Sequence, residues 1–64
     1  MDKRAIGERL KRIRGDERRE KVAAAVGISV SALAMYESGQ RVPRDEVKVA
    51  LSNYYGVSVL ELFF

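Results

Sequence analysis

Apolar residues recur along this chain at helical spacing, in groups separated by glycines and polar turns. Ile6, Leu10 and Ile13 stand at i, i+4 and i+7, with Arg4, Glu8, Arg9, Lys11 and Arg12 around the remaining circumference. That stripe predicts an amphipathic first helix from about Lys3 to Arg14. Gly15 and Asp16 break the pattern, and Asp16 is expected as the N-cap or first-turn acid of a second helix from Glu17 or Arg18 to Val26. Val22, Ala23 and Val26 form its inner side, and the small Ala23, Ala24 and Ala25 would let another helix approach closely.

The segment Val22 to Gly39 organises the remainder. Gly27 can take the left-handed conformation that ends a helix, and Ser29 can cap the next one. Ile28 and Leu33 have the spacing of a hydrophobic staple across that junction. A third helix over about Val30 to Glu37 divides by angle at ~100° per residue. Leu33 and Tyr36 point to the core, while Val30, Ser31, Ala34, Met35 and Ser38 share the outer arc. Gly39 should end this helix, and GQRVP forms the following loop.

Pro43 suits the first turn of a fourth helix, where Asp45 and Glu46 favour the positive end of the dipole. Val47 and Leu51 would face inward, with Tyr54 or Tyr55 completing the stripe and Gly56 stopping the helix at about Tyr54. Ser58 with Glu61 reads as a capping box, and Val57 with Leu62 as a staple, for a fifth short helix starting at Val59. No strand alternation, repeat or linker interrupts this pattern. The expectation is an all-α fold, five short helices in one compact domain over residues 1–64.

Composition narrows the chemistry. The chain has no cysteine and no histidine, which removes disulfides, thiol nucleophiles, imidazole bases and the common zinc-ligand sets. No apolar run approaches the ~20 residues of a membrane span, and the charged N-terminal stretch lacks the apolar core of a signal peptide. A soluble, cytoplasmic protein is expected. The net charge of +3 is unevenly placed: residues 1–21 carry +4 and residues 22–64 carry −1. A basic front half suits a polyanionic partner, although Lys3, Arg4, Arg9, Lys11 and Arg12 equally suit a solvated helix face.

The stretches IGERLKRIRGD, VAAAVGISVSALAMYESGQRVPRDE and NYYGVSVLELF, in this register, resemble the Cro/repressor-like helix-turn-helix family, the lambda-repressor-like or XRE DNA-binding domains. The resemblance implies that the third helix enters the major groove of double-stranded DNA while flanking helix ends hold phosphates. Val30, Ser31, Ala34 and Met35 match its base-reading positions, and Ser38 lies on the same outer arc. Arg19 stands where many members hold the DNA backbone with a glutamine, and Arg18 where they carry a capping Ser or Thr. Ser29 could offer its hydroxyl to a phosphate, and Gln40, Arg41 and Arg44 lie in the loop that runs along the backbone. Arg14 and Glu37 match a structural pair that ties the first helix to the third.

Two features depart from the family. The connection from Arg14 to Arg19 is shorter than is common, and the reading face lacks the Gln, Arg, Asn or Lys that members with well-defined operators carry. Of Val30, Ser31, Ala34 and Met35, only Ser31 can hydrogen-bond a base. Two cations at a helix start, Arg18 and Arg19, oppose the macrodipole, a conflict that phosphate would relieve.

The functional expectation is a small transcriptional regulator that represses by occupying DNA, with no second domain to sense a ligand. The rival is a protein-interaction module of the same fold, antitoxin-like or anti-repressor, binding through the third helix or the apolar C-terminal end. Leu60, Phe63 and Phe64 would either close over the core or form a homodimer interface. An enzyme is not expected, because Asp45–Glu46 and Asp16–Glu17 are adjacent acids at helix starts with no partner chemistry. No metal or cofactor is implied.

Overall fold

Asp2 opens the first helix, its carboxylate accepting the backbone N–H groups of Arg4 at 3.0 Å and Ala5 at 3.4 Å. The computed structural model describes residues 2–64, so residue 1 of the expected 1–64 domain lies outside the described residues. It contains α1 (Lys3–Arg14), α2 (Arg19–Val26), α3 (Val30–Glu37), α4 (Asp45–Tyr55) and α5 (Val59–Phe63), and no strand among the described residues. The all-α, five-helix expectation is met, and α1 and α3 have the bounds that the apolar pattern predicts.

Two boundaries differ, each for a local reason. Asp16 does not cap α2: Glu17 donates its N–H to the Arg14 carbonyl, and Arg14 Nη1 donates to the Glu17 carbonyl at 2.8 Å. That turn keeps residues 15–17 out of the helix, and the extended Arg18 becomes an N-cap without a side-chain hydrogen bond. Pro43 precedes α4 instead of entering its first turn, because Arg44 is extended and serves as the N-cap. Gly39 ends α3 as expected: it is left-handed at φ 78° one position past the Ser38 C-cap, its N–H returns to the Tyr36 carbonyl at 3.2 Å, and the Gln40 N–H returns to the Met35 carbonyl at 2.9 Å.

The helix-turn-helix junction forms as the residues dictate. Gly27 is left-handed at φ 77°, and the N–H of Ile28 reaches back to the Ala23 carbonyl at 3.0 Å. Ser29 Oγ then accepts the Ala32 N–H at 3.0 Å. At the far end, Ser58 and Glu61 complete a reciprocal capping box that starts α5.

Helix α1 packs mainly on α3, α2 on α3 and α4, and α5 closes over α4 and α1. Their shared core is Ile6, Leu10, Val22, Ala23, Leu33, Tyr36, Leu51, Leu62 and Phe63. Of the three small residues of α2, only Ala23 is buried, while Ala24 and Ala25 are exposed and Val26 is half-buried. Phe63 is 1% exposed, which decides between its two expected places: its ring fills this chain's own core and is not available to an interface between copies.

Gly7 sets how closely α1 approaches α3. A Cβ there would stand 2.4 Å from the Glu37 carbonyl oxygen and 2.9 Å from that of Tyr36, so α1 lies on the C-terminal turn of α3 only because the position is bare.

The same turn of α3 carries a buried anion. Glu37 is 2% exposed and accepts from Arg14 Nε at 2.6 Å, Arg14 Nη2 at 3.0 Å and Arg19 Nε at 2.9 Å. Burial alone would raise its pKa. The hydrogen bonds from Arg14 and Arg19 outweigh that effect and hold the carboxyl below its ordinary value. One carboxylate thus joins α1, the start of α2 and the end of α3. Beside this cluster, the Tyr54 hydroxyl donates to the Glu17 carboxylate. The Tyr55 phenol is pushed up to about 12 by burial and by the negative charges of Glu37 and Glu17.

Gly7→Ala should destabilise the fold by up to ~2 kcal/mol in chemical denaturation. The overpacking against two carbonyls, ~1–3 kcal/mol, exceeds the ~1 kcal/mol that alanine gains over glycine in a helix. Glu37→Gln should cost ~3 kcal/mol or more, since it strands two guanidiniums around a neutral amide. The depressed Glu37 pKa contributes stability that is whole above its ordinary 4.5 and is lost as pH falls through the folded value. Glu37→Gln should therefore flatten the acid limb of a stability–pH curve. A smaller slope should remain from Glu61, whose carboxyl is lowered by the Ser58 backbone N–H.

Candidate nucleic-acid interface

Helix α3 is capped at its start by Ser29, fixed at its end by Glu37, and backed by Leu33 and Tyr36. Its outer side carries Val30, Ser31 and Ser38 exposed, with Ala34 and Met35 half-buried. These are the five positions that the angular reading assigned outward, so the helix is set in the orientation its sequence predicts. Four of the five offer little polarity to a ligand. Ser38 Oγ donates its proton to the Met35 carbonyl at 3.2 Å, leaving Ser31 as the free hydroxyl of the face.

Cations flank this face on both sides in sequence. Arg18 is the exposed N-cap of α2. Arg19, 41% exposed, engages Glu37 through Nε, and among the described residues its two terminal nitrogens have no acceptor. Ser29 uses its oxygen to accept the Ala32 N–H, which leaves the hydroxyl proton for an outside acceptor. After α3, Gln40 returns its backbone N–H to the Met35 carbonyl at 2.9 Å and keeps an exposed side chain. Arg41 is held over the Tyr36 ring, 5.8 Å from its centroid. Arg44 stands exposed at the N-cap of α4, its side chain making no cap hydrogen bond.

The Arg14–Glu37 pair implied by the family resemblance is present, but the resemblance did not include Arg19 as its third member. Arg19 and Glu37 are 18 positions apart on different helices, so no periodicity along the chain reveals their contact. The one available signal was the discomfort of two arginines at a helix start, which pointed to an anion without saying which. Here one of them already has a protein anion. Among the described residues no helix is long and apolar enough to cross a membrane.

A helix-turn-helix family model matches residues 9–62. No curated protein and no solved structure gives a significant match. The matched span runs from the middle of α1 into α5 and so includes the Gly27 turn, the Arg14–Glu37–Arg19 cluster and the outer face of α3. The chain belongs to the helix-turn-helix family, in its Cro/C1-type, XRE-like class of DNA-binding regulators.

Proposed function

We propose that this protein is a small cytoplasmic repressor that binds double-stranded DNA with α3 in the major groove and acts by occlusion. The observation that carries the reading is the exposed, capped face of α3, set between arginines at the start of α2 and in the loop beyond α3. Ser29, Arg18, Arg19, Gln40, Arg41 and Arg44 position the domain on phosphates. Val30, Ser31, Ala34 and Met35 meet base edges, with Ser38 at the rear of the same arc. A helix laid in the groove in this way excludes other proteins from the same base pairs.

The domain measures 26 × 22 × 21 Å, less than one duplex turn of ~34 Å, so two copies suit a site with half-sites one turn apart. Leu60 and Phe64, 70% and 62% exposed, are the apolar groups through which two copies would pair. Phe63 takes no part, being committed to the core. The rival reading, a protein-interaction module, predicts retention on a protein partner with little dependence on salt.

Arg44→Ala should weaken binding to all duplexes alike and reduce the slope of log K against log salt by about 0.9, the value of one phosphate contact. Met35→Ala should instead change the ranking of duplexes at an unaltered salt slope. Selection from a random duplex pool at near-physiological salt should recover a rough palindrome. With Leu60→Glu and Phe64→Glu combined, the protein should occupy single half-sites and sediment as a monomer.

A further inference from the structure

The outer face of α3 has an unusual content for a surface that meets base edges. Val30, Ala34 and Met35 offer methyl, methylene and thioether groups, and the free hydroxyl among them is that of Ser31. The arginines that could read a guanine in bidentate fashion lie off this helix: Arg19 is anchored on Glu37, Arg41 over the Tyr36 ring, and Arg18 and Arg44 stand at the N-caps of α2 and α4. Gln40 lies beyond the Gly39 turn, past the end of the helix.

In the major groove the base pairs differ in their donors and acceptors, and in one apolar feature, the methyl group on C5 of thymine. A face with a single hydroxyl cannot read a donor–acceptor pattern across several base pairs. It can distinguish a pyrimidine whose methyl it covers from one that has none. Val30 stands 39% exposed at the start of the face, and Met35, half-buried, lies ~140° away along the same arc. The flexible thioether side chain of Met35 can adjust to a methyl at more than one depth.

Resting on the DNA-binding role proposed above, we infer that α3 reads the C5-methyl group itself and prefers methylated pyrimidines, thymine and 5-methylcytosine alike, over unmethylated ones. The preference comes from burial of one methyl against Val30, Ala34 or Met35, about fourfold in affinity for each methyl covered. Two methyls per half-site give roughly fifteenfold. Cytosine methylation within the site then acts as a gain-of-binding mark, so occupancy follows the methylation state of the DNA.

The test takes the tightest duplex from a random-pool selection and remakes it in three forms. Thymine at each position facing α3 is replaced by uracil, which loses only the methyl, by 5-methylcytosine paired with guanine, or by cytosine paired with guanine. The expected order is thymine and 5-methylcytosine within about twofold of each other, and uracil and cytosine each weaker by about fourfold per position. The combined Val30→Ala, Met35→Ala variant should compress this difference while keeping the salt slope. Uracil binding as well as thymine, or 5-methylcytosine binding as weakly as cytosine, would overturn the inference and point to readout of duplex shape. Absence of salt-dependent retention on any duplex would instead overturn the DNA-binding reading, and this inference with it.

Discussion

The buried carboxylate of Glu37 is the constraint from which the arrangement of the first three helices follows. A lone anion at 2% exposure is costly, and here the cost is offset by two guanidiniums arriving from separate elements. Arg14 comes from the last turn of α1 and Arg19 from the first turn of α2, so neither helix can shift along α3 without exposing or stranding a charge. Gly7 adds a steric condition at the same turn of α3, where the backbone of α1 must lie against the carbonyls of Tyr36 and Glu37. Ion pairing supplies direction and the bare glycine supplies distance. Together they hold the end of α3, while Ser29 and the Gly27 turn hold its start.

The remaining two helices complete the core, α4 standing beside this cluster through Tyr54 and Tyr55. Phe63 and Leu62 bring α5 back over α1 and α4, in a chain too short to fill its interior from three helices alone. Arg9 reinforces that closure by donating to the Leu62 carbonyl at 3.5 Å. Lys48, buried along its stem, lies over the Phe64 ring at 5.2 Å and pairs with Asp45 at 3.7 Å. The C-terminal end is therefore divided within two residues: Phe63 belongs to the fold, and Phe64 offers an open surface.

Much of this was legible in the sequence because the information is local. Helix α3 was found with both its ends because a serine cap, a staple and a 100° period agree within ten residues, and the same short range exposed the apolar reading face. The capping box of Ser58 and Glu61 was readable for the same reason. What could not be read depends on elements meeting in space. Gly7 looks like a mere weak point in a helix until α3 lies against it. Asp16 looks like an N-cap until Arg14 claims the Glu17 carbonyl and holds the turn open. The role of Phe63 was undecided between core and interface because an apolar terminal residue fits both, and only the closure of α5 separates them.

Arg19 joins the fold to the proposed interface. Its cluster holds one carboxylate and two guanidiniums, an excess of one positive charge beside the turn that orients α3. A phosphate reaching the terminal nitrogens of Arg19 would neither have to displace Glu37, which occupies Nε, nor create an unpaired anion. It would neutralise the excess and relieve the repulsion between the two arginines. On the proposed docking, then, DNA and Glu37 do not compete for Arg19: the protein anion fixes the plane of the guanidinium and the nucleic-acid anion fills its free edge. Binding and folding reinforce each other through the same side chain, and a ligand held by the folded state alone stabilises that state by mass action. Such coupling suits a small domain whose reading face supplies little polar affinity, because its hold on DNA must come from cations that the fold has already oriented.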